Sequence, residues 1–406
     1  MVLRSSKEAP PLWDVVALAD FTTPERTQAS QWRRSWLAAT RWLVGREAAE
    51  HKAKQESELR ALPEVRLAHL VPDIDWSPGA RALAQVLLQQ GLNEEPVVFF
   101  ITPPHGGHSA IVKHWAQQQG INCLASPTYQ ELSEGTLEWL ARCENQHRWV
   151  LPALERCFLR HTQGLQGVRA LLERALSGRM GRGVIGCDSW TYAYLQQAIG
   201  LDGAPAFTLQ AVEGQQLAYY FAHLADGGSC PTVYSTRTGN PILANDDSDD
   251  NAENGRKAVH KELQRLAAHC RGHLGIAWHY WREQLREPAE NSDSPQSQNQ
   301  SQNQSQNAAP SEELWLLDAL AEAELPAETG DLATLLLHAL LIHGGLEDQA
   351  LGDVLPFSHH EVLTARLSLA RKGLLVFHQG RWQVSPLSYA SVRQLLESRN
   401  YLVDAL

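Results

Sequence analysis

Val97-Val98-Phe99-Phe100-Ile101-Thr102-Pro103-Pro104-His105-Gly106-Gly107-His108-Ser109 is the stretch whose reading decides the fold, and the apolar-periodic run Ile111, Val112, Trp115, Ala116 follows it. An unbroken apolar run, a Pro/Gly-rich turn and then a 3.6-residue period predict strand, tight loop and helix. That geometry aims backbone amides and a helix N-terminus at one point, the outline of an anion cradle.

Working outward, the chain alternates. Upstream, Ser77-Pro78 suits a helix start and Gly91 a stop, so a helix is expected over 78–90. Downstream the pattern predicts strands at 121–124, 149–151, 183–186 and 206–209. Helices are expected at 134–143, 165–176 and 189–199, the last capped by Asp188-Ser189, and then around Leu217, Tyr220, Phe221 and Leu224. Such alternation implies an α/β fold with a mostly parallel sheet covered on both faces, its ligands at the carboxyl ends of the strands. His105 to Ser109 and Cys187 to Ser189 both fall there.

The flanks read differently. Residues 1–72 form a helical extension in which Trp32, Trp36, Ala39 and Leu43 share a stripe, and Arg26, Arg33, Arg34, Arg41 and Arg46 are uninterrupted by acid. The α/β core spans 73–228. An acidic loop and a helical region, broken at Arg271-Gly272, cover 229–290. The Ser/Gln/Asn-rich 291–310 reads as a linker, too poor in apolar residues to order itself. In 311–406, a helix over 358–372, strands at 374–377 and 382–384 around Gln379-Gly380, and a helix over 389–398 have the layout of a winged helix. Residues 355–406 hold six Lys/Arg and three Asp/Glu, a local charge of +3 with His neutral.

Composition narrows the class. The chain has 406 residues, 43% hydrophobic and 20% charged, with a formal net charge of −11, which argues against a protein that coats nucleic acid over its whole surface. Six cysteines without a C-x-x-C pair suggest neither a disulfide framework nor a zinc site. A reducing cytoplasm fits, and the longest apolar run, near residues 332–342, is too short to span a bilayer.

With these elements in order, residues 78–281 resemble an AAA+ or STAND-type P-loop ATPase, and the tail resembles the winged helix of initiator-type members. The resemblance implies a P-loop NTPase-like sheet of order five-one-four-three-two, a helical lid and a C-terminal winged-helix domain. It places ATP on Thr102, His105, Gly106, Gly107, His108 and Ser109, with Mg²⁺ on the Ser109 hydroxyl. Glu155 would be a late remnant of the acidic strand motif, Asp188 would stand where the γ-phosphate is sensed, and Arg282, with Arg271 near it, would be the lid arginine. Arg366, Arg371, Lys372 and Arg381 would meet DNA.

Two departures bear on activity. A phosphate loop of this kind ends Gly-Lys-Ser/Thr, whereas here it is Gly107-His108-Ser109, and an imidazole is not a fixed positive charge. No Asp ends the third strand, so the carboxylate that would hold Mg²⁺ is missing. The expectation is therefore a nucleotide-binding or pseudo-ATPase regulatory or scaffold protein with a protein partner and a homo-oligomeric option, not inserted in a membrane. Two alternatives stand beside it. One is a DNA-binding initiator or transposition-type regulator. The other is an α/β-hydrolase, with His105-Gly106-Gly107 as oxyanion loop and Asp188 or Ser189 in a nucleophile elbow, although neither has a glycine two places on.

Overall fold

The computed structural model describes residues 12–24, 58–90, 95–143, 147–201, 203–224, 231–243, 252–289, 313–317, 325 and 330–406; within 252–260 only the backbone is described. The Trp/Arg stripe near Trp32 and the 291–310 linker lie outside them. The chain forms two compact units that are not linear in sequence. One comprises Met1–Leu12, Thr23–Ile74 and Ala211–Ala321; the other comprises Trp13–Thr22, Asp75–Gln210 and Glu322–Leu406.

The second unit carries the quoted stretch. Its strand Val97–Thr102 is buried at every position, which is why it reads as continuous apolar sequence rather than alternation. Val97, Phe99 and Ile101 pack with Trp149, Ile185 and Leu195 on one face. Val98 and Phe100 pack with Leu83, Ile111 and Val112 on the other, as the two-residue side-chain period of a strand dictates. The strand lies mid-sheet in the order Val15–Ala17, Ala206–Leu209, Val97–Thr102, Arg182–Asp188, Arg148–Leu151. Every pairing is parallel except the edge strand Val15–Ala17. A parallel bridge from Cys123 to Val150 is all that forms of the strand expected at 121–124. Numbered along the chain from Val97–Thr102, the four parallel strands run four-one-three-two; the expected five-one-four-three-two appears only when the isolated Cys123–Val150 bridge is counted as a strand.

Local chemistry accounts for the boundaries. The helix Ser77–Gln89 begins where the Asp75 carboxylate accepts from the Ser77 amide at 2.9 Å. His108–Gln119 buries Ile111, Val112, Trp115 and Ala116 and stops at Gly120 with φ 64°. The single helix expected at 134–143 is instead two pieces. A capping box between Thr128 and Glu131 starts Tyr129–Glu134 early, and left-handed Gly135 ends it before the 3₁₀ turn Glu138–Cys143.

Residues 331–406 complete this unit. Helices Asp331–Ile342, Asp348–Val354 and His359–Arg371 lead to an antiparallel hairpin, Leu375–His378 with Arg381–Val384, and then to Tyr389–Ser398. Ser358 and Glu361 form a capping box at the third helix. The hairpin turn takes positive φ at both Gln379 (50°) and Gly380 (79°), the twist a two-residue hairpin needs. Ile342 and Leu406 enter the same apolar cluster as Phe99 and Trp149, so this segment shares the core of the α/β sheet.

The first unit holds a second five-stranded sheet, in the order Leu59–Ala61, Leu285–Pro288, Glu313–Leu316, Thr232–Ser235, Pro241–Leu243. The helices Ala252–His269 and Leu274–Gln284 also belong to it, separated by left-handed Arg271 and Gly272. The region expected to be only a loop and a helical lid thus contributes strands. Each is three or four residues long, too short to show a period.

Gly183 lies where Trp149 of the neighbouring strand crosses, and a Cβ there would come within 2.2 Å of the indole. Gly183→Ala is expected to cost about 1–3 kcal/mol through overpacking, read as a lower denaturation midpoint.

Candidate functional site

The carboxyl ends of the parallel strands meet at the loop after Thr102. The loop folds on itself. Gly106 donates its amide to Pro103 O at 2.9 Å, and His105 takes a left-handed φ of 63°. A Cβ on Gly106 would sit 2.7 Å from Pro103 O and from Thr102 Oγ1, and one on Gly107 would sit 2.5 Å from the Trp76 indole. The glycines let a compact turn close against Thr102 and Trp76.

His108 opens the following helix with its ring turned inward. Thr102 Oγ1 lies 3.0 Å from its Nδ1 and also accepts from the His108 amide at 3.3 Å. Its Nε2 lies 3.0 Å from Glu155 Oε1, so with Glu155 ionised that nitrogen carries a proton whatever the charge on the ring. The other carboxylate oxygen accepts from the Asp188 amide at 3.3 Å. Thr102, His108, Glu155 and Asp188 are all buried. Burial pushes the Glu155 carboxyl up, but the His108 ring and the amide donors more than offset this and hold it below the ordinary range. Asp188 goes the other way. Burial first, then the Glu155 and Asp404 carboxyls, push it well above the ordinary range, although the Trp190 amide bonds its side chain. Asp188 therefore serves as a helix cap.

The tail covers this corner. His105 Nε2 meets Val384 O at 3.2 Å, and burial holds its imidazole neutral, down at about 4. Ser189 Oγ donates to Asp404 Oδ2 at 2.5 Å, and Tyr389 OH reaches the same oxygen at 3.3 Å. Arg393 bonds Asp404 Oδ1 at 3.1 Å and Asp404 O at 2.9 Å, while Trp190 Nε1 donates to Tyr389 OH at 3.0 Å. Nothing in the sequence singles out Asp404, Tyr389 or Arg393. All three are buried, and only the fold brings them to this corner beside Ser189 and Trp190.

These residues do not fit ATP and Mg²⁺. A polyphosphate needs amides and a fixed cation free to face it, whereas His108 is engaged by Thr102 and Glu155, and Gly107 is covered by Trp76. Ser109 lies half-buried in the first helical turn. His105 and His108 diverge to different partners, and among the described residues no group of three His, Cys, Asp or Glu side chains could hold a metal.

The remaining expected residues are placed elsewhere. Arg282 lies in the other unit, where it donates to Val71 O at 2.7 Å, pairs with Glu64 and stacks 5.4 Å from Trp278. Arg366 is buried, paired with Asp348 and seated 4.6 Å over the Trp382 ring. Arg381 bonds Gly345 O at 3.4 Å and faces Glu347 at 3.8 Å. Arg371 and Lys372 are exposed. The hydrolase alternative gains no support, because Ser189 is buried with its hydroxyl donating a hydrogen bond to Asp404 and the Asp188 side chain caps a helix.

No family model matches this chain, and no curated protein matches it. Among solved structures it is similar to a chain in "Structure of Drosophila ORC bound to DNA", at 11% identity and a TM-score of 0.30 over 89% of this chain and 99% of that one. So slight a likeness carries no argument about fold or function.

Two measurements probe the corner. His108→Leu leaves Glu155 buried without its partner and is expected to cost about 3–5 kcal/mol, whereas His108→Leu with Glu155→Leu should recover most of it, read by denaturant titration. His343 is fully buried beside Phe158, and neither ring nitrogen has a partner among the described residues. Burial, then Arg160 and other nearby cations, hold it down at about 3. Its unfolded form takes up a proton as pH falls below about 6.5 while the folded form does not, so folding loses stability through that range until about 3. His343→Leu should gain on the parent by up to about 1.4 kcal/mol per pH unit between pH 6.5 and 5, read as the difference in denaturation midpoints.

Proposed function

We propose that this chain is an AAA+-like module that has given up ATP hydrolysis and works as a regulatory or scaffold protein. The observation that carries the reading is the buried His108–Glu155 pair at 3.0 Å. The side chain in the lysine position of a phosphate loop is spent on the carboxylate nearest the missing metal ligand. Supporting it are the parallel strand order, which reads five-one-four-three-two once the Cys123–Val150 bridge is counted as a strand, and the turn from Thr102 into a helix. In this reading the tail is a winged-helix element turned to intramolecular docking, with Arg366 and Arg381 used inside the fold rather than on phosphates.

The purified chain is expected to show no Mg²⁺-dependent ATP turnover above buffer and no saturable binding of a fluorescent ATP analogue. Turnover that is lost in His108→Ala with Ser109→Ala would reject the proposal. The same reading expects no gel shift with duplex DNA at low salt. A salt-dependent shift abolished by Arg371→Ala with Lys372→Ala would assign the tail to nucleic acid instead.

A further inference from the structure

The helix Asp331–Ile342 and the residue that ends it carry two imidazoles to the place where the tail meets the α/β sheet. His338 sits between a donor and an acceptor. Arg160 Nη1 lies 3.5 Å from its Nδ1, and Leu402 O lies 3.1 Å from its Nε2. A guanidinium only donates, so Nδ1 is the accepting nitrogen and Nε2 carries the proton. The site selects the neutral ring. A second proton, on Nδ1, would set donor against donor and cation against cation.

His343 has no hydrogen bond to keep. It is wholly buried, 4.7 Å from the Phe158 ring, and neither nitrogen has a partner among the described residues. Arg160, Arg381, His161 and His338 face it, and none of these offsets an added positive charge. The acids of neighbouring elements are engaged elsewhere: Glu155 with His108 and the Asp188 amide, Asp404 with Ser189 and Arg393, and Glu347 facing Arg381 at 3.8 Å. Arg160 makes no ion pair among the described residues, and the groups acting on its charge are the phenols of Tyr194 and Tyr401. Burial, then Arg160, hold both rings down, His338 at about 4 and His343 at about 3.

The sheet does not rely on the tail for its core. Ile342 and Leu406 are the tail residues in the apolar cluster on one face, and the cluster on the other face contains none. Hydrogen bonds such as Ser189 to Asp404 and Trp190 to Tyr389 complete the attachment, and water can replace them.

We propose that residues 331–406 are an acid-released cover, docked on the carboxyl ends of the sheet at neutral pH and freed from a still-folded sheet when His338 and His343 take up protons. The cover works the same way whether or not the pseudo-ATPase reading holds. In the released state both rings titrate near the ordinary 6.5, while the docked state keeps them neutral, so docking is strongest above that pH and weakens below it. Between pH ~7.5 and ~5.5 each ring weakens docking about tenfold, about 100-fold for the pair. His105, which meets Val384 O with His378 facing it, adds up to about tenfold in the same direction.

The test is hydrogen exchange of the full chain at pH ~7.5 and ~5.5, with rates corrected for the intrinsic pH dependence and read by mass spectrometry. Segments 331–346 and 399–406 are expected to lose protection at least about 100-fold at the lower pH, while the strands 97–102 and 182–188 keep theirs. His338→Gln with His343→Leu, which keeps a donor and an acceptor at the first position, should leave at most about a tenfold loss. Arg160→Met removes the fixed charge but leaves both rings, and should move release to lower pH. Circular dichroism at pH ~7.5 checks the folding of each variant, and Arg160→Met decides alone if the double variant fails to fold. Tail protection unchanged between the two pH values would overturn the proposal, as would strands that lose protection together with the tail. A loss undiminished in the folded variants would overturn it too.

Discussion

The contact between the His108 imidazole and the Glu155 carboxylate constrains the rest of the α/β unit. A carboxylate out of water is tolerated only when its oxygens are engaged. Here one oxygen takes His108 and the other the Asp188 amide, which joins the ends of three neighbouring strands through one side chain. Thr102 orients the far side of the imidazole, so the loop between Thr102 and His108 has both ends tied. The left-handed turn at His105 and Gly107 follows from that short span. The arrangement holds the corner shut, and what would elsewhere be a concave anion site is here filled by protein.

Closure of the corner and docking of the tail are one structural fact seen from two sides. Gly344 approaches Glu155 so closely that a Cβ would fall 2.9 Å from its Cγ. Thr191 Oγ1 donates to Ile342 O at 2.5 Å, which satisfies a carbonyl at the C-terminal end of its helix. Asp404 gathers Ser189, Tyr389 and Arg393 into a buried network in which both carboxylate oxygens and the main-chain carbonyl are engaged. Polar groups so fully satisfied confer specificity of position more than raw stability. The tail is therefore positioned by hydrogen bonding and anchored by Ile342 and Leu406 in the common apolar cluster.

Much of the α/β unit was legible in the residues themselves. The run from Val97 announced a strand buried on both faces because no polar residue interrupts it. Gly373 and Gln379-Gly380 announced the end of a helix and a hairpin, because positive φ is costly for most other residues. The second sheet was not legible. Leu59–Ala61 pairs with Leu285–Pro288, more than two hundred residues away, and strands this short carry no period of their own. The site was legible by location but not by chemistry: Glu155 and Asp188 could be placed at strand ends, yet one is held ionised and the other pushed toward protonation by neighbours that only folding supplies.

What the amino-acid sequence determined by itself is the alternation of strand and helix from Ser77 to Leu209, the turn after Thr102, and the absence of a lysine from it. These are local consequences of side-chain periodicity and backbone freedom. The tertiary structure alone decided that His108 would spend its ring on Glu155, that Arg366 would turn inward to Asp348 and Trp382, and that residues 331–406 would share the core of the parallel sheet. Those outcomes depend on which distant side chains burial forces together, because a buried charge or ring nitrogen settles on whatever partner lies within hydrogen-bond reach.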